Sequence, residues 1–549
     1  MSSQGVRNGE VAIHPEPQSP QAVISHAPPR PGIQSGSLDK HQLREWVMSA
    51  MFTRQWNTLV PDSSVGRSSF VSEFNLWDDR QSAAAEQIEA DLDQIDLVRL
   101  VFCDPHGLAR SKAMSSATFR AALRNGMDFS PGPFVFDTGH AIAVDFLADD
   151  PGVGVGELVG AGDFVMVPDP RTFQVLPHLE PRTAWVLGYE FLRDGTPHPH
   201  STRHVLRRVC AEFAGRDLAP VVGLEVEWYL TRLLDGPVGN VGNGFGLQGA
   251  APLVDAVNAG YQFNLDSYYD SVSMVTGPLF GLLRALGLPL RTMEHESGPG
   301  QLEFTFDPLN AMDAADAMLL FRTQVKQECA RRGFHASFMS LPRIAGFDAS
   351  GWHLHQSVIR ASTGRNVFAI DDATEGMSAD GKAYVHGLLA RARDFCLLSV
   401  PTVNGYRRLG PEFTLAPTGI GWSYEDRTTM ARVLGAGAST HVENRVGEPC
   451  ANPYLAIAAQ LFAGLDGLAE LVEDPPVSSQ QALPWSLREA LDAFRGSGHV
   501  ERLLGKPLAS CLGKLKESEV SRFEAWCADN QPDVDGVTEW EQREYFRVY

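Results

Sequence analysis

The sequence predicts an α+β protein, a small sheet-bearing domain followed by one larger domain, and three observations support that prediction. Its 549 residues, 44% of them hydrophobic, exceed the roughly 100 to 200 residues of a single domain and can bury a large core. Between residues 92 and 196, short alternating strands surround one helix. Beyond residue 200, long segments with apolar residues at three-and-four spacing alternate with strand-like runs rich in Glu, His and Arg.

Charge and cysteine usage narrow the function classes. There are 46 basic against 67 acidic residues, a formal charge of −21, which disfavours binding to nucleic acid or to anionic membranes. Seven cysteines are scattered without a CxxC or Cys/His cluster, so neither a disulfide framework nor a structural zinc is indicated. The N-terminus lacks a basic segment followed by an apolar core, and no apolar run approaches the ~18 residues needed to span a bilayer. A cytoplasmic protein is expected.

Taken in order, residues 1–37 are rich in Pro, Gly, Ser and Gln and read as a disordered tail. Residues 38–91 form a helical extension from two patches, LDKHQLREWVMSAMF and SAAAEQIEADL. Residues 92–196 form the small domain: DLVRLVFCD turns at PHG, where Gly107 supplies positive φ, and returns through LARSKAM as a hairpin. A helix from Ser116 to Asn125 and the strands DFVMVPD and TAWVLGYEF complete it, and DGTPHPHS links it onward. In residues 197–549 the strands are PVVGLEVEWYL, PLRTMEHE, GQLEFTF, HASFM and GWHLHQSVI. The clearest helices are DAADAMLLFRTQVKQECARRG, ADGKAYVHGLLARARDFCLLS and NPYLAIAAQLFAGLDGLAEL. From Pro484 onward the chain reads as several short scaffold helices with a charged surface.

The chemistry lies on the strands. Glu225 and Glu227 in GLEVEWYL are two residues apart, so a strand points both carboxylates to one face, where they repel unless a cation lies between them. Alone, this pattern more often describes a solvated strand face. In EHESGPGQLE, however, Glu296 and Glu303 flank a Gly-Pro-Gly turn that brings two strands side by side. GWHLHQS sets His353 and His355 on one face, and HVENR adds Glu443 two residues before Arg445. Such carboxylate-rich ligation suits Mg²⁺ or Mn²⁺ better than Zn²⁺ or copper. Arg407, Arg408, Arg427, Arg432 and Arg445 add planar, permanently charged forks for a phosphorylated or carboxylated ligand, the alternative being surface salt bridges.

In the same order, GLEVEWYL, HESGPGQLE, SGWHLHQS, NGYRRLGPEF, DRTTMAR and ENR followed by ANPYLAIAAQLFAGLDGL resemble the glutamine synthetase family, from about residue 92 to beyond residue 471. The resemblance implies an N-terminal β-grasp domain and a catalytic domain whose curved antiparallel sheet is surrounded by helices. It implies two or more Mg²⁺ or Mn²⁺ ions, with ATP and L-glutamate as substrates. Glu227, Glu296 and Glu303 would hold the ion nearer glutamate, and Glu225, His353 and Glu443 the ion nearer the ATP phosphates. Arg408, Arg445 and Ala349 would contact glutamate, Arg427 and Arg432 the transferred phosphoryl group, and His355 with Ser357 the nucleotide. A large homo-oligomeric ring is implied as well.

The chain departs from the family pattern where ammonia would bind. PEFTLAP puts Thr414 and Leu415 where the family carries a proton-accepting glutamate, with Glu412 the nearest carboxylate, and Asp137 is the candidate for the ammonium-site aspartate. Asp348-Ala349 stands where Asn-Gly is usual, Leu341 where a lysine is common, and GAGAST lacks the usual basic residues. EDPPVSSQQALPW has no tyrosine for adenylylation. An apolar wall at Leu415 favours an organic amine over ammonium. The reading is therefore a γ-glutamylamide synthetase acting in amine catabolism. A true glutamine synthetase, a silent oligomeric scaffold and a metal-dependent hydrolase are the alternatives.

Overall fold

The computed structural model describes residues 68–549 except 235–243, 247, 371–375, 411–412, 414, 471–476 and 534–535. The expected tail, the first helical patch, Glu412 and Thr414 lie outside the described residues. The second patch is the helix Asp79–Asp91, started by a capping box in which Asp78 accepts from the Gln81 amide and Gln81 reaches back to the Asp78 amide.

The first sheet has the strand order Ala109–Ser115, Leu97–Cys103, Thr183–Phe191, Phe164–Pro168 and Met127–Phe129, with Gln174–Leu176 also paired to Thr183–Phe191. Leu97–Cys103 and Ala109–Ser115 form the expected antiparallel hairpin, and Gly107 sits at φ +83° in its turn. Leu97–Cys103 runs parallel to Thr183–Phe191, and the helix Ser116–Asn125 covers the sheet with Phe119 and Leu123. Phe102, Phe129, Phe134 and Phe164 form its aromatic core, with neighbouring ring centroids 5.1 to 6.0 Å apart.

One buried acid here has a measurable consequence. Burial pushes the Glu190 carboxyl up to about 7 although the Ser201 hydroxyl donates to it. The folded protein then holds a proton that the unfolded chain, near 4.5, releases, so stability is fully present below pH 4.5 and is lost as pH rises through 7. Glu190→Gln removes that slope. Its Tm should exceed that of the parent by roughly 2 to 4 °C at pH 8.5 and not at pH 5, in paired thermal melts.

The second sheet is built on Leu218–Leu233, 16 residues long, with Val222, Leu224, Val226 and Trp228 buried on one face and Glu225 and Glu227 on the other. Trp352–Arg360 pairs with one edge and Gln301–Phe306 with the other, both antiparallel, and Leu290–His295 pairs outside the latter. Beyond Trp352–Arg360 come His441–Asn444, Ala431–Leu434, Gly419–Tyr424 and Ser478–Ala482; Phe334–Ser337, Val254–Ala256 and Leu309–Asn310 pair with other stretches of Leu218–Leu233. The sheet is antiparallel except between Gly419–Tyr424 and Ala431–Leu434.

Helices Ala311–Arg331 and Pro453–Glu470 pack on the buried face. Asn452 starts the second by accepting from the amides of Tyr454 and Leu455, while its own amide nitrogen donates to the Asp104 carbonyl in the small-domain hairpin at 2.8 Å. Two expectations are corrected. ADGKAYVHGLLARARDFCLLS is two helices, Ala379–Ala390 and Ala392–Ser399, because Arg391 leaves helical geometry (φ −106°, ψ 5°); both halves touch Pro453–Glu470, but the second packs chiefly on Leu487–Gly496. The C-terminal region contains Lys506–Asn530, 25 residues long, held by Leu508, Cys511, Leu512, Leu515 and Val520 at helical spacing. Among the described residues no helix is long and apolar enough to cross a membrane.

Candidate functional site

Strand register assembles the site. Glu227 lies opposite Glu303, Glu225 opposite His353, His355 opposite Glu443, and Glu443 opposite Arg432. A one-residue slip in any pairing would send these side chains into the core, and the alternating apolar face forbids it. The Gly-Pro-Gly turn between Glu296 and Glu303 depends on Gly300, at φ +77°, where an added Cβ would lie 2.5 Å from the Leu230 carbonyl oxygen.

Glu225 faces both histidines, with His353 Nδ1 2.6 Å from Oε1 and His355 Nε2 3.0 Å from Oε2. His353 Nδ1 also lies 3.5 Å from Glu443, and its Nε2 lies 3.2 Å from Arg408 Nη2. Gln301 donates through Nε2 to Glu227 at 3.2 Å, to Ser350 Oγ at 3.0 Å and to the Ala349 carbonyl at 3.3 Å, and the Gly351 amide donates to Glu227 at 3.0 Å. Ala349 thus meets the site through its backbone.

Among the described residues potential ligand atoms converge in three groups: Glu225, His355 and Glu443; Glu225, Glu303 and His353; Glu294, Glu296 and Glu303. These cut across the two expected sets, and Glu227 joins none of them. Glu294 was missed in the sequence because it stands one strand period before Glu296 in a motif already explained by two glutamates; Asn264 donates to it at 3.3 Å. Burial and neighbouring carboxylates push Glu303 up to about 10, Glu227 to about 8 and Glu296 to about 7, the Arg408 guanidinium partly opposing the rise at Glu227. Burial works against the Glu225 charge too, but His353 and His355 hold it well below the usual carboxylate range. Carboxylates crowded this closely, with imidazole among them, fit hard divalent cations of the Mg²⁺ or Mn²⁺ kind.

The arginines divide by role. Arg432 sends Nη1 to Glu443 at 3.2 Å and Nη2 to Glu425 at 2.7 Å, and Arg445 pairs with Glu443 through Nη1. The Nε atoms of Arg432 and Arg445 are buried with no hydrogen-bond partner from the protein. Arg408, buried, spans the carbonyls of Arg445, Val446 and Gly447. Arg427 stands exposed in the turn between two strands. Arg407, expected on the anion side, instead pairs with the buried Glu541 at 3.1 Å. Asp137 is also committed elsewhere: it is buried and accepts from Ser518 Oγ at 2.7 Å and Arg522 Nε at 2.8 Å.

His355 and Ser357 line a cavity of about 590 Å³ with Gln356, Asn366, Thr440 and His441, next to Glu225. Leu415 is 57% exposed, and its carbonyl accepts from Arg445 Nη2 at 3.5 Å. Exposed Tyr261 and Phe263 lie on a segment clasped to the glutamate turn, the Tyr261 amide donating to the Ser297 carbonyl at 2.7 Å. Tyr261 holds φ +70°, a strained conformation for a bulky residue.

Comparison with known proteins agrees with this architecture. Residues 199–534 match the model of the glutamine synthetase catalytic domain, which leaves the last fifteen residues outside the match. The chain is 37% identical to a gamma-glutamylanilide synthase of Acinetobacter sp. over 504 residues, 87% of this chain and 99% of that protein. It is 30% identical to a gamma-glutamylethanolamide synthetase of Streptomyces coelicolor over 401 residues, 70% of this chain and 80% of that protein. A solved structure of ligand-free GmaS superposes with a TM-score of 0.66 at 26% identity, covering 84% of this chain and 98% of that one. The chain belongs to the glutamine synthetase family.

Proposed function

We propose that the protein is an ATP-dependent ligase that phosphorylates the γ-carboxylate of L-glutamate and joins the glutamyl group to an organic amine. The observation that carries this reading is the row Glu303, Glu227, Glu225, His353, Glu443 and Arg432 on one sheet face, beside a cavity of about 590 Å³ able to take a nucleotide. Bound Mg²⁺ or Mn²⁺ would neutralise charge on the transferring phosphate oxygens. Glu225, His353 and Glu443, with His355, would hold one ion, and Glu296 and Glu303, with Glu294, another; Glu227, opposite Glu303 in the ladder, would join the second set on ion binding.

The chain's own residues supply the rest. Arg408 and Arg445 orient the glutamate carboxylates, Arg432 and Arg427 face the phosphoryl group, and His355 with Ser357 fixes the nucleotide against the strand face. A free carboxylate is a poor electrophile, and its acyl phosphate has a leaving group that the amine displaces. Leu415, Tyr261 and Phe263 are exposed apolar side chains that would offer surface to an alkyl or aryl amine, worth roughly 25 cal/mol per Å² buried. The reading includes a cytoplasmic setting and a homo-oligomeric ring, the latter checked by light scattering.

ADP release should be followed with glutamate plus, in turn, ammonia, primary alkylamines, polyamines, ethanolamine and anilines, each with Mg²⁺ and with Mn²⁺. An organic amine should give the highest kcat/KM. Leu415→Glu should shift the preference toward ammonia by about tenfold. Ammonia emerging as the best substrate of the parent would return the protein to the glutamine-forming reaction.

A further inference from the structure

The glutamate arginine Arg408 lies on the short helix Gly405–Arg408, whose N-cap Asn404 makes no side-chain capping bond. The segment is held instead from outside the family match, by the C-terminal helix Glu539–Tyr545. Glu541, fully buried, accepts from Arg407 Nε and Nη2, both at 3.1 Å, and from Asn404 Nδ2 at 3.2 Å. Its own orientation is fixed by Thr538, whose amide and hydroxyl donate to Oε2 at 2.8 Å. Tyr545 accepts from the Val403 amide at 3.2 Å, a second anchor on the same segment. Asn404 in turn clamps Leu341, accepting from its amide at 2.8 Å and donating to its carbonyl at 3.0 Å.

A buried carboxylate surrounded by five donors is costly to remove and rigid while it lasts. Its partners Asn404 and Arg407 flank Arg408, which touches His353 and the carbonyls of residues 445–447, and Asn404 also holds Leu341, eight residues before Ala349. We infer that Glu541 is a positioning residue for glutamate binding: it locks Asn404 and Arg407 so that Arg408 presents a fixed geometry to the substrate carboxylate. This rests on reading Arg408 as a glutamate ligand. A misplacement of about 1 Å in such a clamp is enough to weaken binding severalfold.

The test is calorimetric titration of the full chain with L-glutamate, in Mg²⁺ and a non-hydrolysable ATP analogue, and separately with ADP. Glu541→Gln should raise the L-glutamate Kd at least about fivefold with the ADP Kd within about twofold, and Glu541→Asp, which keeps the charge, should recover part of the loss. Arg408→Lys serves as the reference. If Arg408→Lys raises the glutamate Kd and Glu541→Gln does not, Glu541 has no positioning role. Equal weakening of glutamate and ADP marks general loosening and also overturns the inference. An Arg408→Lys variant with unchanged glutamate affinity removes both the site reading and the inference built on it. Should Glu541→Gln fail to fold, Glu541→Asp decides by the same glutamate-to-ADP ratio.

Discussion

Glu303→Ala is expected to lower kcat for ADP release by about 10³-fold or more while the protein remains folded. Glu303 sits in two of the three ligand groups, opposite Glu227 across the strand pair, and is the carboxyl that burial and its acidic neighbours push highest, to about 10. A side chain that disfavours its own charge this strongly sits at a desolvation cost, so its loss removes that cost rather than opening the core. It is partly buried on the site face of the strand, and truncation leaves no large cavity in the apolar layer, which lies on the other side of the sheet with Leu302 and Phe304. Two melts separate catalysis from folding. In chelator, Glu303→Ala should melt no lower than the parent. In Mn²⁺ the parent should gain several degrees (roughly 3 to 6 °C) by linkage to cation binding and the variant should gain little. Retained turnover, or an equal Mn²⁺ shift in both proteins, would sink the metal assignment.

The row to which Glu303 belongs was legible because local rules specify it. Two-residue spacing in Glu225/Glu227 and His353/His355 selects a shared strand face, and Gly-Pro-Gly between Glu296 and Glu303 selects a turn. What spacing does not encode is which strands become neighbours and at what offset. His355, rather than His353, lies opposite Glu443 because of the register between Trp352–Arg360 and His441–Asn444, which no local pattern announces. Glu294 gains its partner from Asn264, 30 residues away, and Arg407 gains Glu541 from 134 residues away. In the sequence Arg407 and Arg408 are adjacent and chemically alike, and only tertiary packing assigns one to a buried carboxylate and the other to the site. Arg391 shows the same limit for the fold. Its pairing with Asp466 and Glu470 on another helix accompanies a break that helical periodicity runs straight through.

The second large effect is expected at Arg432. Arg432→Lys should lower kcat by about 10²- to 10³-fold while changing the KM for ATP by less than about threefold. Arg432 is opposite Glu443 in the ladder, its side chain is 12% exposed, and carboxylates of Glu443 and Glu425 hold its two terminal nitrogens. Those contacts orient the guanidinium plane and leave the buried Nε without a partner, so the donor is preorganised before any ligand arrives. Lysine preserves the positive charge and satisfies one carboxylate, which keeps ground-state attraction for the nucleotide. It lacks the planar fork, so it cannot remain anchored to both glutamates and donate to a third oxygen. The interaction lost is therefore the one that strengthens as charge spreads over the transferring phosphoryl oxygens, and such a loss appears in kcat rather than KM. Steady-state kinetics with ATP varied at saturating glutamate and amine measure this split. An unchanged kcat would remove Arg432 from the phosphoryl-transfer step, and a rise in KM alone would make it a nucleotide-binding residue only. The exposed Arg427, which has no comparable anchoring, should show the smaller effect of the two in the same assay.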